Sequence, residues 1–282
     1  MDWRRVVSEI GRVLIGIGVL ILLFVVYQLW GTGIHESRSQ DRLQKEFSAA
    51  ASEPAPDPGE TPPPTPEGEA VAIIKIPRIG LEKAVVEGVG VADLKKAPGH
   101  YPSTPMPGEA GNAAIAGHRT TYGAPFNRLD ELVRNDDIFV TTKAGKYRYK
   151  VYSATVVKPK QSEVLDPTTD NRLTLTTCHP KFSASQRLVI VADLVGEAVV
   201  PAVKRKPAQP ADDAFSESLS GDPTARGPAI LFGLLTFLIG CVIAAFGHYW
   251  RRWPSYLIGA PVFAVSLFFF FENFARLLPA NV

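Results

Sequence analysis

Three long apolar runs flank a central region of short, alternating segments, and two Pro-rich and Ala-rich tracts separate them. The first run, residues 13–30, is uncharged and long enough to span a bilayer, with Arg4, Arg5 and Arg12 before it. Positive residues are retained on the cytoplasmic side, so residues 1–12 are expected in the cytoplasm and the chain leaves the membrane after Trp30. The run is longer than a usual signal-peptide core and no small-x-small cleavage site clearly follows, which favours an uncleaved anchor. Residues 31–70 read as a linker: His35 to Phe47 is polar with a helical reading, and Ala49 to Ala70 is dominated by Pro, Glu, Ala and Thr, including Thr61-Pro62-Pro63-Pro64-Thr65-Pro66.

Residues 71–196 change character. Strands are expected at Val71 to Ile76, Ala113 to Ala116, Ile138 to Thr141, Tyr147 to Tyr152, Arg172 to Thr176 and Leu188 to Ala192. Gly, Pro and Asp turns separate them, and Pro125 to Val133 reads as a short helix. Short β segments at this spacing make a closed barrel or a sandwich, and about 125 residues suffice for a core. A second linker covers residues 197–226, and two further spans are expected at 227–247 and 256–271, joined by a cytoplasmic turn, 248–255, that carries Arg251 and Arg252. Three crossings put the β domain and the tail, 272–282, outside, with Glu272 and Arg276 at the outer interface.

Charge and cysteine content narrow the chemistry. A formal net charge of +2 without a basic stripe on the folded region argues against a nucleic-acid binder. Lys204-Arg205-Lys206 lies in a linker. The two cysteines, Cys178 and Cys241, are poorly placed to pair because Cys241 falls inside an apolar span, so Cys178 is read as a free thiol in an exported domain. A free thiol is about 3% ionised at pH 7 and needs a basic or cationic neighbour to act as a nucleophile. His118 and Arg187 are candidates for proton transfer and for stabilising developing negative charge. Each has a plainer reading: Cys178 as a buried strand residue, His118 as a turn histidine bonded to backbone, Arg187 as a surface ion-pair partner. Asp136-Asp137 reads as a turn, since a calcium cage needs more oxygen ligands than are visible there.

Four stretches taken in order decide between these readings: Ile74-Lys75-Ile76-Pro77-Arg78-Ile79-Gly80, Gly99-His100-Tyr101-Pro102, Gly111 through Arg119, and Thr174-Leu175-Thr176-Thr177-Cys178 with Arg187. Over residues 70 to 196 the chain resembles the sortases, cysteine transpeptidases that attach proteins to Gram-positive cell surfaces, and within them class E of the actinobacteria. The resemblance implies a mainly β fold, a sortase-like closed β-barrel with short helices, flanked here by one N-terminal and two C-terminal transmembrane helices. It implies that the Cys178 thiolate attacks the Thr carbonyl of an LAXTG-like or LPXTG-like sorting signal, that His118 protonates the leaving Gly amine, and that Arg187 holds the oxyanion. The implied partners are secreted proteins bearing that signal, a lipid-linked peptidoglycan precursor amine and membrane lipid. No metal or organic cofactor is implied.

Around these three, the resemblance and the local sequence offer Thr176, Thr177, His100, Tyr101, Tyr122 and His179 as substrate-groove residues. The Thr residues also simply suit a strand, His100 and Tyr101 also suit loop packing, and His179, the neighbour of Cys178, points to the opposite face unless the chain turns at Pro180. Three alternatives stay open at this stage: a pilin-polymerising sortase with a Lys acceptor, a cysteine hydrolase, and a non-catalytic membrane-anchored binding protein on a sortase barrel. No lid is visible before the first strand, which favours anchoring over pilin assembly. The strings around Cys178 do not look like those of L,D-transpeptidases.

Overall fold

The structure is a computed structural model, and it describes residues 3–51, 65–199, 215, 222–249 and 252–278. These divide into two compact units. One holds the apolar helices, the other the β domain together with a helix that precedes it.

In the first unit α1 (Trp3–Val26), α4 (Arg226–Tyr249) and α5 (Arg252–Leu277) are each long and apolar enough to cross a membrane. Phe24 of α1 packs edge-on against Phe271 and Phe274 of α5, with ring centroids 5.2 and 5.3 Å apart. Between α4 and α5 the hydroxyls of Thr236 and Ser266 share a hydrogen bond of 2.7 Å, and Gly233, Gly240 and Gly259 face side chains of the opposite helix. Small residues and hydroxyl pairs of this sort let apolar helices approach where lipid supplies no hydrophobic drive.

The second unit is a closed barrel of eight strands in the order β1-β2-β3-β4-β7-β8-β6-β5. The strands are β1 (Ala70–Ile76), β2 (Leu81–Glu87), β3 (Gly99–His100), β4 (Asn112–Ala116), β5 (Asp137–Thr142), β6 (Gly145–Val157), β7 (Arg172–His179) and β8 (Gln186–Val195), with one turn of helix, α3 (Val91–Leu94), between β2 and β3. Six of the strands contain the stretches expected from sequence, and β2 and β3 are additions. β2 leaves β1 through a one-turn 3-10 helix, Pro77–Ile79, that ends on Gly80 at φ 67°, a left-handed conformation natural to glycine. Closure spares the sheet any free edge. Inside, Ile74, Ile76, Val85, Ile115, Ile138, Val140, Leu173, Leu175 and Ile190 form the buried core.

Strands β4 and β7 are buried on both faces, whereas β6 alternates toward solvent along most of its length. Their outer face is covered: Ala114, Ala116 and Cys178 join Val89, Leu94, Tyr101 and Leu165 in a second apolar cluster outside the barrel. Period-two alternation assigns Leu173 and Leu175 to the interior and Thr174, Thr176 and Cys178 to this covered outer face.

Two expectations are corrected. Pro125 to Val133 is not an α-helix; only Leu129–Glu131 forms a 3-10 turn, and the buried side chains Phe126, Leu129 and Leu132 recur every three residues, the period of that tighter helix. The segment 31–70 is not wholly linker. Residues Thr32–Ala50 form α2, a helix in the same unit as the barrel, with Thr32, Glu36, Gln40, Leu43 and Phe47 buried along one stripe. Gln40 bonds both backbone groups of Ala84 in β2, donating to its carbonyl at 3.1 Å and accepting from its N–H at 2.7 Å. The Pro-rich remainder, 52–64, and most of the second linker, 200–214 and 216–221, lie outside the described residues.

Candidate active site

The site is built where two neighbouring parallel strands end together. β4 and β7 run side by side with Ala116 opposite Thr176, so the residues two further on, His118 and Cys178, leave the sheet at one level. Gly117 donates its N–H to the Thr176 carbonyl at 3.1 Å, and the Thr177 hydroxyl donates to the Gly117 carbonyl at 2.8 Å, which extends the pairing past the last ladder bond. On the other side β7 and β8 are antiparallel with Cys178 directly opposite Arg187. Facing residues on adjacent strands share a face, so the guanidinium is placed beside the thiol. Register thus sets Cys178 beside Arg187 and brings the chain at His118 to the same end of the barrel.

Cys178 has no exposed surface. Burial pushes its thiol up to about 11, while the positive charges of Arg187 and Arg119 pull the other way. The thiol is therefore protonated at neutral pH in this resting arrangement, and the nearby cations favour the thiolate once substrate or a base takes the proton. Arg187 is 3% exposed, and one guanidinium nitrogen donates to the carbonyls of Ala184 and Gln186 at 3.0 and 3.2 Å. Its Nε is buried with no hydrogen-bond partner among the described residues. An unpaired buried donor on a cation is costly, about 1–3 kcal/mol or more, and an oxygen that gains negative charge nearby would satisfy it.

His118 is 3% exposed and stacks against Tyr122, with ring centroids 4.9 Å apart and planes tilted by 39°. Its carbonyl accepts from the N–H of Phe126 at 3.0 Å, which closes the loop back under the imidazole. Tyr122, half-buried, also receives the ammonium of Lys95 over its ring at 5.5 Å. Thr176 and Tyr101 lie together on the covered face, hydroxyl to hydroxyl at 3.1 Å. Thr177 points to the other side of the strand and spends its hydroxyl on Gly117, so it fixes the strand ends.

His100 is placed away from any groove. It has no exposed surface, and its ring nitrogens meet the Glu87 carboxylate and the Pro105 carbonyl, each at 2.9 Å. Two acceptors on one imidazole make it a brace between β2 and the loop after β3. His179 turns toward Arg119, Nδ1 to guanidinium 2.9 Å. The alternation that separates it from Cys178 holds through the end of β7.

Sequence reasoning missed Arg119 and Phe215. Arg119 is 1% exposed and ties the site together from the far side of His118, donating to the Cys178 carbonyl at 3.1 Å and pairing with Asp130 at 3.0 Å. Its adjacency to His118 in the string Ala-Gly-His-Arg was the available signal. Phe215 comes from the second linker, yet it is 1% exposed in the cluster that contains Cys178 and Tyr101, its ring 6.5 Å from that of Tyr101. A lone aromatic in a low-complexity tract carries no period by which to find it.

Residues 74–195 match the family model described as Sortase domain. The chain is 32% identical over 214 residues to Sortase SrtE1 of Streptomyces coelicolor, covering 70% of this chain and 59% of that protein, so it spans less than two thirds of that relative's length. It is 29% identical over 209 residues to Sortase SrtE2 of the same organism, covering 68% of this chain and 83% of the relative. Among solved structures, Sortase E1 from Streptomyces coelicolor with a tripeptide in its active site is 31% identical, covers 46% of this chain and 91% of that one, and superposes with a TM-score of 0.44. The closed eight-stranded barrel and the free cysteine at the end of β7 go with these matches: residues 74–195 form a sortase domain, with class E sortases of Streptomyces among the proteins it is similar to.

Proposed function

We propose that the chain is a membrane-anchored cysteine transpeptidase in which Cys178 is the nucleophile, His118 the proton carrier and Arg187 the oxyanion partner. The observation that supports this reading is the double register, Ala116 opposite Thr176 and Cys178 opposite Arg187, which is consistent with the three residues acting at one end of the barrel. The substrate is a sorting signal of the LAXTG or LPXTG kind. The Cys178 sulfur bonds to the Thr carbonyl carbon as its proton passes to His118, and the carbonyl oxygen takes up negative charge beside Arg187. Collapse breaks the Thr–Gly bond, His118 gives its proton to the departing Gly amine, and a thioester remains on Cys178. An acceptor amine then adds to the thioester carbonyl and loses a proton to neutral His118, and the Cys178 thiolate leaves and takes that proton back. That amine belongs to a peptidoglycan precursor. Thioester energy carries the acyl group across, so the free energy of the cleaved peptide bond is conserved in the new one.

Tyr101, Thr176 and Tyr122 line the approach to the thiol in this reading. The apolar helices α1, α4 and α5 anchor the chain, with the barrel on the outer side where sorting signals and wall precursors are found. Mass spectrometry of the full chain with a Leu-Ala-x-Thr-Gly peptide and an amine acceptor tests it. A thioacyl adduct on Cys178 and an amine-ligated product are expected, and Cys178→Ala should remove both without unfolding the barrel. Cleavage by water alone, with acceptor present, would make the protein a hydrolase. Turnover that survives Cys178→Ala would remove the nucleophile assignment.

A further inference from the structure

The turn that follows His118 is held from outside the barrel. Tyr122, Gly123 and Ala124 all have positive φ, 50°, 72° and 45°. Two left-handed departures by side-chain-bearing residues on either side of a glycine cost on the order of 1–2 kcal/mol each, and such a run persists only where its surroundings over-determine it. Within the loop the Ala124 N–H bonds the Thr121 carbonyl at 2.9 Å and the Asn127 N–H bonds the Ala124 carbonyl at 3.0 Å. A further constraint comes from α2, ninety residues earlier in the chain.

Thr32 opens that helix, and its hydroxyl oxygen accepts the Tyr122 N–H at 3.0 Å. One turn on, Glu36 lies against Gly123 so closely that a Cβ there would come within 2.3 Å of Oε2. Both residues are buried, 1% and 2% exposed. Glu36 is itself fixed by Lys83 of β2, whose ammonium reaches its two oxygens at 2.8 and 3.0 Å. Gln40, bonded to Ala84, fixes the following turn of the helix, and Leu43 and Phe47 complete the buried stripe. The stripe at 32, 36 and 40 is polar, each member spent on a particular backbone or charged group. A helix that merely covered apolar surface would present aliphatic side chains there.

We infer that Thr32 and Glu36 are positioning residues for His118: from α2 they hold the Tyr122–Gly123 turn so that the Tyr122 ring backs the imidazole. The link from helix to imidazole is continuous, Thr32 and Glu36 to the turn, and Tyr122 to His118 at 4.9 Å between ring centroids. The inference rests on the proposed role of His118, and its structural half stands apart from that role.

The test uses the full chain in detergent with Thr32→Val, which keeps shape and removes the acceptor, Thr32→Ser, which restores it, and Glu36→Ala, which removes the wall behind Gly123. Carbethoxylation of His118 by diethyl pyrocarbonate, mapped by peptide mass spectrometry, reads the imidazole's protection without any assumption about activity. Thr32→Val and Glu36→Ala should raise its rate several-fold, and Thr32→Ser should leave it near that of the parent. In transpeptidation Thr32→Val should lower kcat about tenfold, the loss expected of one well-placed hydrogen bond, with KM within twofold. Unchanged His118 reactivity in Thr32→Val and Glu36→Ala would overturn the inference, as would a kcat that follows only the fraction folded. Should the parent protein form no thioacyl adduct at all, the proposed reaction fails, and the carbethoxylation rates still decide whether α2 holds His118.

Discussion

At the scale of single residues the resting thiol is a neutral one. Burial keeps the Cys178 thiol protonated against the pull of two guanidiniums, with its titration near 11, above the ordinary thiol range. Alkylation of Cys178 by iodoacetamide should therefore be slow at pH 7 and still climb through pH 10, because the reactive thiolate increases up to the folded-state value. A rate that levels off near pH 8 would show a thiol already activated at rest. Phe215→Ala, which empties part of the cluster around Cys178, should speed the reaction at every pH. Cys178, His118 and Arg187 stood out in the sequence as candidates because polar, reactive residue types stand at the ends of recognisable strand strings. Arg119 was on view and unread, since adjacency to His118 does not reveal that its side chain crosses to the Cys178 carbonyl. His100 was read in part: its loop string is recognisable, but burial between Glu87 and Pro105 is a property of the pairing of β2 with β3, which no local pattern announces.

At the scale of elements, the exposed alternation of β6, the Leu–Thr alternation of β7 and the apolar run of β8 made their strands visible, and their observed bounds extend the expected ones at the ends. β2 was hidden because Ala84, Val85 and Val86 form a continuous apolar run, buried on both faces, without alternation. α2 was read as helical over His35 to Phe47, but its docking was hidden for the opposite reason, since most of its buried stripe is Thr, Glu and Gln, invisible to any search for apolar periodicity. The junction of β4 with the His118 loop yields a further prediction. A Cβ at Gly117 would come within 2.6 Å of the Phe126 ring, and Phe126 is fully buried and has nowhere to retreat. Gly117→Ala should cost about 1–3 kcal/mol of stability, the range for overpacking a tight site, and lower turnover as His118 moves. Thermal unfolding and kcat, measured together, check it, and a protein as stable and active as the parent would mean that the loop gives way freely.

For the whole molecule, the three apolar helices were the most legible feature, because length and composition alone identify them. Their contacts were not: the Thr236 to Ser266 hydrogen bond and the Phe24 packing depend on which helix faces are turned inward. The proposed topology makes a direct prediction. With three crossings and a cytoplasmic start, the barrel faces out and the turn between α4 and α5 faces in. A cysteine at Lys143, on an exposed barrel turn, should react with a membrane-impermeant maleimide on intact cells, and one at Trp253, at the start of α5, should react only after permeabilisation. The reverse pattern would invert the protein in its membrane.

Cys178 and Arg187 are the penultimate residues of a long two-stranded ladder whose facing pairs run without interruption from Arg172 and Asp193 to His179 and Gln186. The eight residues between the two include a tip, Pro180 to Ser185, and the Ala184 carbonyl within it accepts from the Arg187 guanidinium at 3.0 Å, so the tip helps to hold the group that the ladder places. Changes of side chain between Pro180 and Ser183 therefore fall outside the ladder that sets Cys178 against Arg187, whereas a change of backbone at Ala184 reaches the guanidinium itself.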